Sequence, residues 1–286
     1  MRINVVCPLF NADNYIDSLI ASLKGQENVE ITAIFPVTET ETCSLVTDKI
    51  TQAGYEFFLV KPQDFSHSLT RQKAIEQYCK EDVVVLLSQD VIISDNHCIA
   101  ELATSIDDKV VFAYGRQICR KKTLEYYVRS KNYGNESFVV NSSDIEKLQL
   151  KAFFASDAFS AYNRNVFLEL GGYDNIRMMM SEDMYYAKKI LDNGYSKAYV
   201  ATAVVEHSHK LSLKQLYNRY YETGVWFAQH PEFDNYKTTD SGMKLALYVL
   251  GQALKDINIP VLFRWLPDMS ARYLGMRKGK KKLVKK

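Results

Sequence analysis

Short apolar runs alternate with segments of helical periodicity along the first part of the chain. The apolar runs at 3–7, 30–35, 56–60, 83–87 and 110–114 have the length and the β-branched or aromatic content of buried strands. Between them, apolar residues recur at helical spacing at 13–23, 41–53, 68–78 and 97–106. This alternation predicts an α/β fold with a doubly wound, mostly parallel sheet, in which functional residues lie at the carboxyl ends of the strands.

Three later segments extend the pattern. A helix is predicted to begin after Ser181, its N-cap, and to end at Asn193 and Gly194; its buried face consists of Met184, Ala187, Ile190 and Leu191. A strand is predicted at 198–205. Near the C-terminus, apolar residues recur at helical spacing between Met243 and Ile257, which predicts an amphipathic helical extension.

Composition excludes several classes of protein. Hydrophobic residues make up 47% of the chain and charged residues 24%, as in an ordinary globular protein. The apolar runs are shorter than the roughly 18 residues of a membrane-spanning helix, and the N-terminus is too short in its apolar part for a signal peptide. The five cysteines form no CxxC pair, so we expect a reduced, cytosolic protein. The segment CPLFNADNY after the first strand contains neither GxGxxG nor GxxxxGK[ST].

The net charge of +2 conceals an uneven distribution. Seven Lys and Arg residues lie in the last ten positions, so the rest of the chain carries a net charge of −5. Such a block is typical of a solvated tail, and beside an amphipathic segment it is also typical of a contact with anionic lipid. The aromatic and apolar cluster at 261–266 favours the lipid interpretation.

Two segments carry candidate chemistry. The run VVVLLSQD at 83–90 ends a buried strand abruptly and leaves the Asp90 carboxylate at an edge where ligands bind. In DFSHSLTRQKA, at 64–74, a serine cap places His67 and Arg71 near the start of a helix. Cations there oppose the helix dipole, which makes sense if a phosphate binds between them. In the alternative interpretation, Arg71 pairs with Asp64 or Glu76.

A third segment has paired carboxylates. Glu182 and Asp183 follow Ser181 and fall in the first turn of the helix predicted there. Acidic residues in a first turn are ordinary complements of the helix dipole, and this structural role explains most such pairs.

Six motifs follow one another along the chain: FSHSLTRQKA, LLSQD, FFASDAFSAYNR, LGGYD, SED and VVEHSH. In this order and at these distances, they resemble glycosyltransferase family 2, the inverting transferases with the GT-A fold. The resemblance covers about residues 3–230. Within the family, FSHSLTRQKA, SQD, SAYNR and HSHKLSLKQLYNRYYETG look most like the bacterial rhamnosyltransferases that build cell-wall and capsular polysaccharides.

The resemblance implies a metal ion and a base. Family members often hold a divalent cation with a DxD triplet; here Ser88 and Gln89 precede Asp90, which alone can ligate in the usual way. His207 is the implied second ligand, with His209 as the alternative, and the ion is Mg²⁺ or Mn²⁺. The second carboxylate of the family's ED motif takes the proton of the acceptor hydroxyl, which selects Asp183, while Glu182 orients its neighbours or fixes the helix terminus.

The resemblance also implies a binding site for a nucleotide-sugar donor. His67 and Arg71 are implied to bind the base or the diphosphate, Ser88 and Gln89 to make neutral hydrogen bonds, and Asp157 to touch the sugar or acceptor. The other implied donor-binding residues are Pro8, Phe10, Asn11 and Glu39. Glu39 stands in PVTETET, where many relatives have an acidic DDGS-like turn that meets the base.

The expected organisation is a GT-A glycosyltransferase domain at 1–235, an amphipathic helical extension at 236–276 and a basic tail at 277–286. The expected activity is transfer of L-rhamnose from dTDP-L-rhamnose to a lipid-linked saccharide, at the cytoplasmic face of an anionic membrane that the basic C-terminus contacts. Nucleic acid is not an expected partner. Two alternatives are a UDP-hexose donor and a degenerate scaffold that binds sugar or lipid without catalysis.

Overall fold

The computed structural model describes residues 1–208, 211–237 and 241–282, and over these residues the chain forms eight β-strands and eleven α-helices. The strands are β1 (Arg2–Val6), β2 (Glu30–Thr38), β3 (Glu56–Val60), β4 (Val83–Leu87), β5 (Val110–Ile118), β6 (Phe138–Val140), β7 (Phe159–Asn163) and β8 (Ser196–Glu206). The helices are α1 (Ile16–Lys24), α2 (Cys43–Gln52), α3 (His67–Gln77), α4 (Cys98–Ala103), α5 (Leu124–Asn132), α6 (Ile145–Leu148), α7 (Arg164–Glu169), α8 (Glu182–Asp192), α9 (Leu213–Gln229), α10 (Ser241–Lys255) and α11 (Ile259–Lys280). Short 3₁₀ helices cover Ser142–Asp144, Gln149–Phe153 and Pro231–Phe233.

The strands form one sheet in the order β3-β2-β1-β4-β7-β5-β8-β6. β1 pairs in parallel with β2 and β4, and β2 pairs in parallel with β3. β7 is antiparallel to both of its neighbours, β4 and β5, and β6 is antiparallel to β8. The predicted doubly wound, mostly parallel α/β sheet is confirmed.

The central strand β4 shows why the apolar runs form this sheet. All five of its residues are buried. Val83, Val85 and Leu87 join one apolar cluster with residues of α1, α2 and α4, whereas Val84 and Leu86 point to the opposite face because side chains alternate along a strand. A strand that is covered on both faces is apolar throughout, and its polar residues begin only where it ends.

The chain divides into two compact units. The first contains Met1–Gln117, Asn135–Asp144 and Phe153–His207 and carries the sheet. The second contains Ile118–Gly134, Ile145–Ala152 and the described residues from Ser208 onward, and it is helical. The domain limits expected from the sequence, 1–235, 236–276 and 277–286, stay a prediction.

The helical unit is built around α9 and α11. Their backbones approach closely at glycines: a Cβ added to Gly275 would lie 2.4 Å from the Tyr217 carbonyl oxygen, and one added to Gly279 would lie 2.1 Å from that of Tyr221. Val249 and Ala253 of α10 pack into a separate apolar cluster with residues of α5 and α11. Among the described residues, no helix combines the length and the apolar content needed to cross a bilayer.

Candidate active site at the carboxyl edge of the sheet

Several polar segments meet at one edge of the sheet. Residues 8–11 follow β1, Glu39 follows β2 and residues 88–90 follow β4. Asp157 precedes β7, and because β7 is antiparallel to β4, its start lies at the carboxyl end of β4. A bridge between Ile92 and Glu206 brings the end of β8 to the turn after β4. Ligands bind at such an edge in open α/β sheets.

Asp90 and His207 face each other at this edge. His207 Nε2 lies 3.3 Å from Asp90 Oδ1, and His207 Nδ1 lies 2.9 Å from the side-chain oxygen of Gln117. An amide oxygen only accepts hydrogen bonds, so Nδ1 carries the proton of this hydrogen bond, and Nε2 is the ring nitrogen that faces the carboxylate. His209, the alternative ligand, lies outside the described residues.

This donor pair suits a divalent cation. Carboxylate oxygen and imidazole nitrogen are both ligands of Mn²⁺-like ions, and a hydrogen bond on the far ring nitrogen orients a metal-binding histidine. In the part of the chain that the structure describes, no group of three or more His, Cys, Asp or Glu side chains is placed to hold one ion. The pair therefore fits an ion that completes its coordination with oxygens of a bound molecule.

Arg71, Asp157 and Glu182 form a buried cluster. Arg71 donates a short hydrogen bond to Glu182 Oε1, lies 3.6 Å from Asp157 Oδ2 and donates to the Asp157 carbonyl at 3.2 Å. Burial alone lowers the pKa of Arg71, but the charges of Glu182 and Asp157 outweigh it and raise the pKa above its ordinary value. The alternative pairing of Arg71 with Asp64 or Glu76 is wrong, because the guanidinium points into the protein.

The Asp157 carboxylate is surrounded by donors. Oδ1 accepts hydrogen bonds from Ser160 Oγ at 2.8 Å and Tyr162 Oη at 2.5 Å, and Oδ2 accepts one from Tyr173 Oη at 3.0 Å. Burial raises the pKa of Asp157, which is 2% exposed. The protein itself supplies these partners, and contact of Asp157 with the sugar or the acceptor stays a prediction.

Asp183 differs from these buried groups because it is partly exposed. Its Oδ1 accepts the Met184 N–H at 2.7 Å, and its Oδ2 accepts the Asp157 N–H at 3.4 Å. Burial raises the pKa of Asp183 well above its ordinary value, and the negative charges of Glu182 and Asp157 add to the rise. An accessible carboxylate with a raised pKa has the properties of a general base.

Ser181 does not cap α8 as expected. It stands at the N-cap position, but with φ of 64° and ψ of 20°, and its side chain accepts no capping hydrogen bond. This left-handed conformation costs a non-glycine residue about 1 to 2 kcal/mol. Such strain is found at functional sites, and here it immediately precedes Glu182 and Asp183.

At the start of α3, the cap is Ser66, whose Oγ accepts the Leu69 N–H at 3.1 Å. Ser68 does not cap this helix; its Oγ instead donates a hydrogen bond to the Ile176 carbonyl at 2.7 Å. His67 is the first residue of the helix and is partly buried. Because Arg71 is engaged with carboxylates, an anion held between His67 and Arg71 stays a prediction.

Other predicted donor-binding residues lie at the surface of the edge. Phe10 is 53% exposed, and the next residue, Asn11, is exposed with φ of 46°. Pro8, Ser88 and Gln89 are partly buried. The Gln89 side chain is hydrogen-bonded to the Phe10 backbone, so Phe10 and Gln89 are in direct contact.

Glu39 lies at a separate cavity of about 260 Å³ beyond the ends of β2 and β3. Its N–H donates to the Val60 carbonyl at 2.9 Å, and Glu39 itself is exposed. The cavity is lined by both polar and apolar side chains, among them Phe58, Lys61, Asp64, Leu69 and Lys73.

Lys197 is a site residue that the sequence pattern misses. It lies in β8 with 1% exposure, donates to the Phe154 carbonyl and sits 5.1 Å from the centre of the Tyr114 ring. Burial lowers the pKa of Lys197 to about 7, and the charge of Asp183 acts in the opposite direction. The predicted strand starts at 198, one residue after Lys197, because charged residues usually mark the ends of strands. In the sequence, the one feature that points to Lys197 is its position next to an apolar run.

Comparison with known proteins now identifies the family. A family model described as "Glycosyltransferase like family 2" matches residues 2–221. The chain belongs to this family. It is therefore a glycosyltransferase, as the six sequence motifs indicate.

Two curated relatives of this family 2 transferase are similar over most of its length. The O-antigen chain rhamnosyltransferase RfbN of Salmonella typhimurium is 32% identical over 98% of this chain and 90% of its own. The O-antigen chain rhamnosyltransferase WbaN of Salmonella anatum is 34% identical over 78% of this chain and 71% of its own. The resemblance to bacterial rhamnosyltransferases is confirmed.

Solved structures establish the fold. The mannosyltransferase PcManGT from Pyrobaculum calidifontis, in complex with GDP-Man and Mn²⁺, matches with a TM-score of 0.63 and 13% identity, over 99% of this chain and 87% of its own. S. aureus TarS in complex with UDP-GlcNAc matches with a TM-score of 0.54 and 11% identity, over 98% and 92%. The family 2 transferase therefore has the expected GT-A fold.

Proposed function

We propose that this family 2 transferase moves L-rhamnose, with inversion, from dTDP-L-rhamnose to a lipid-linked saccharide of a bacterial surface polysaccharide. The observation that carries the proposal is the placement of Asp183, a partly exposed carboxylate of raised pKa, at the site edge beside buried Glu182. The choice of rhamnose is supported by the names of the two relatives, RfbN and WbaN.

The proposed reaction assigns one proton transfer to the protein. The acceptor hydroxyl gives its proton to Asp183 while its oxygen bonds to the anomeric carbon, and the bond from that carbon to the diphosphate oxygen breaks, so that dTDP leaves. Arg71 donates hydrogen bonds to Glu182 and to the Asp157 carbonyl, just before β7. The Asp157 N–H in turn donates to one carboxylate oxygen of Asp183. These contacts fix the direction of the base before the acceptor arrives.

Asp90 and His207 are the residues proposed to hold Mg²⁺ or Mn²⁺. A divalent cation bound there would supply Lewis-acid neutralisation of the leaving diphosphate. The support is the donor pair, 3.3 Å apart, with the His207 ring oriented by Gln117. The PcManGT structure that contains GDP-Man and Mn²⁺ shares the fold.

The nucleoside is proposed to bind between the Phe10 ring and the cavity at Glu39. An exposed aromatic face suits a base, and a cavity of about 260 Å³ with carboxylate and ammonium groups offers hydrogen-bond partners. Glu39 stands where many relatives have an acidic turn of different sequence, so the choice of nucleotide is tested directly.

A donor panel provides that test. Purified protein with Mn²⁺ and a lipid-linked acceptor is supplied in turn with dTDP-L-rhamnose and with UDP-hexoses, and the released nucleotide is measured. We expect dTDP release that requires the acceptor. Release of UDP alone would instead favour the UDP-hexose alternative, and no transfer from any donor would favour the degenerate scaffold.

The helical unit is proposed to contact an anionic membrane surface. Met243, Leu247 and Leu254 recur along α10 at helical spacing and are exposed, as are Phe263 and Leu266 of α11. The basic segment that follows starts inside α11, which continues to Lys280, and its exposed cations are Arg277, Lys278, Lys281 and Lys282. Exposed apolar side chains beside clustered cations match a surface of lipid tails and anionic headgroups.

Vesicle binding tests this surface. The full chain is expected to sediment with phosphatidylglycerol vesicles and not with phosphatidylcholine vesicles. Replacing Arg277, Lys278, Lys281 and Lys282 by Gln is expected to weaken binding by about 100-fold or more, since each cation contributes roughly 1 kcal/mol near an anionic surface. A matched variant with Gln at Lys24, Lys80, Lys109 and Lys151 is expected to bind normally. Equal loss in both variants, or no binding by the full chain, would refute the membrane contact.

A further inference from the structure

The Gln89 side chain forms a two-bond clasp with the backbone of Phe10. The Phe10 N–H donates to Gln89 Oε1 at 2.7 Å, and Gln89 Nε2 donates to the Phe10 carbonyl at 2.9 Å. The amide thus satisfies both backbone groups of one residue, as a neighbouring strand would. We call this pair of bonds the Gln89 clasp.

The clasp completes the anchoring of the segment after β1. On its other side, the Leu9 N–H donates to the Pro36 carbonyl at 2.8 Å, and the Thr38 N–H donates to the Leu9 carbonyl at 2.8 Å. Residues 9 and 10 are therefore held from β2 on one side and from the turn after β4 on the other. The Phe10 ring nonetheless remains 53% exposed. Backbone anchoring without side-chain burial fixes the point from which the ring extends and leaves the ring open to a ligand.

The chemistry of residue 89 is specific. An amide offers one acceptor and one donor group, and the clasp uses both. A carboxylate at this position would place acceptor oxygens against the Phe10 carbonyl and lose one of the two bonds. The turn that carries Gln89 is itself fixed, since the Ser88 N–H donates to the Ala158 carbonyl at 3.1 Å. Asp90 is the next residue, so one short turn carries both the clasp and a proposed metal ligand.

We propose that Gln89 is a positioning residue, which sets donor affinity by holding Phe10 in place and makes no contact with the donor itself. This inference rests on the proposed function in one respect, namely that the nucleotide binds at this edge. It replaces the expectation that Gln89 contacts the donor directly.

A double-mutant cycle separates positioning from direct contact. Binding of dTDP is measured by calorimetry with Mn²⁺ present, for wild type, Gln89→Ala, Phe10→Ala and the double variant. Gln89→Ala is expected to weaken dTDP binding by roughly 10-fold. This loss is within the net free energy that two hydrogen bonds contribute. In the Phe10→Ala background, the same change is expected to cost less than about 2-fold, because the ring that the clasp positions is already gone. Equal losses in both backgrounds would overturn the inference and assign Gln89 a direct contact.

Hydrogen exchange tests the clasp without any ligand. The Phe10 amide is expected to exchange faster in Gln89→Ala and Gln89→Glu than in wild type, because its acceptor is removed or its partner bond is lost. Gln52→Ala, which makes the same change at an exposed position at the end of α2, is the matched control and is expected to leave Phe10 exchange unchanged. Unchanged exchange in both Gln89 variants would overturn the inference. If wild type failed to bind dTDP, the proposed donor would be wrong, while the exchange result would still decide whether the clasp exists.

Discussion

Asp183→Asn is expected to lower kcat for sugar transfer by about 100- to 10,000-fold while leaving dTDP affinity within about 2-fold of wild type. The amide has nearly the shape of the carboxylate, and its oxygen can still accept the Met184 N–H, the shorter of the two contacts that hold Asp183, while only the weaker contact with the Asp157 N–H is lost. It cannot take the proton of the acceptor hydroxyl. The loss therefore appears in the chemical step, as measured by steady-state kinetics with saturating donor.

Asp192→Asn is the matched control for this prediction. Asp192 ends the same helix, α8, and its exposed carboxylate pairs with Lys188, one turn away on the helix surface. Exposed pairs of this kind contribute little, so full activity is expected. Full turnover in Asp183→Asn would remove the base assignment, and a large loss of dTDP binding in that variant would assign Asp183 to the donor instead.

Removal of divalent metal with EDTA is expected to reduce transfer by about 100-fold or more, and added Mn²⁺ or Mg²⁺ is expected to restore it. The physical reason is the charge of the leaving diphosphate, which Arg71 does not offset because it is turned inward to Asp157 and Glu182. Because Asp90 and His207 supply only two ligands, the empty protein is expected to bind Mn²⁺ weakly and the dTDP-bound protein more tightly, as measured by calorimetry.

His207→Ala tests which residues hold the ion. The variant is expected to need a higher Mn²⁺ concentration for half-maximal activity, and His97→Ala, at an exposed histidine, is expected to behave as wild type. Activity that survives EDTA unchanged would contradict the metal proposal. Tight Mn²⁺ binding by the empty protein would contradict the two-ligand arrangement.

Much of the fold follows from local pattern. The strands at 56–60 and 83–87 have the predicted bounds because the apolar runs at 57–60 and 83–87 are flanked by polar and turn residues. The elements between 118 and 163 were less accessible to prediction: β6 has three residues and α6 has four, too few to show a period. β5 extends past its apolar run to Ile118, because paired neighbours keep its polar residues Arg116 and Gln117 in the sheet.

The candidate site is predictable where motifs stand at strand ends and helix starts. Asp90, Asp183 and His207 lie at such positions, and the structure pairs Asp90 with His207. The interior of the site is not predictable in this way, since it depends on which distant side chains meet. Arg71 lies 86 residues from Asp157 and 111 from Glu182, and no local pattern connects them.

Lys197 and Gln89 show two further limits of sequence pattern. A lysine beside an apolar strand is expected at the surface, yet Lys197 is 1% exposed and holds the Phe154 carbonyl. A glutamine within a metal-binding triplet is expected to face the ligand, yet Gln89 bonds to the Phe10 backbone. In both cases, tertiary contacts use a polar group inside the protein that composition assigns to solvent or substrate.

Inverting transfer of L-rhamnose is tested by the anomeric configuration of the product. Wild-type protein with Mn²⁺, dTDP-L-rhamnose and a lipid-linked acceptor is followed by NMR, with the configuration at the anomeric carbon compared between donor and product. Inverting transfer predicts one new glycosidic bond of opposite configuration to the donor, with one dTDP released per sugar transferred. A product that retains the donor configuration, or no transfer from dTDP-L-rhamnose while a UDP-hexose is consumed, would contradict it.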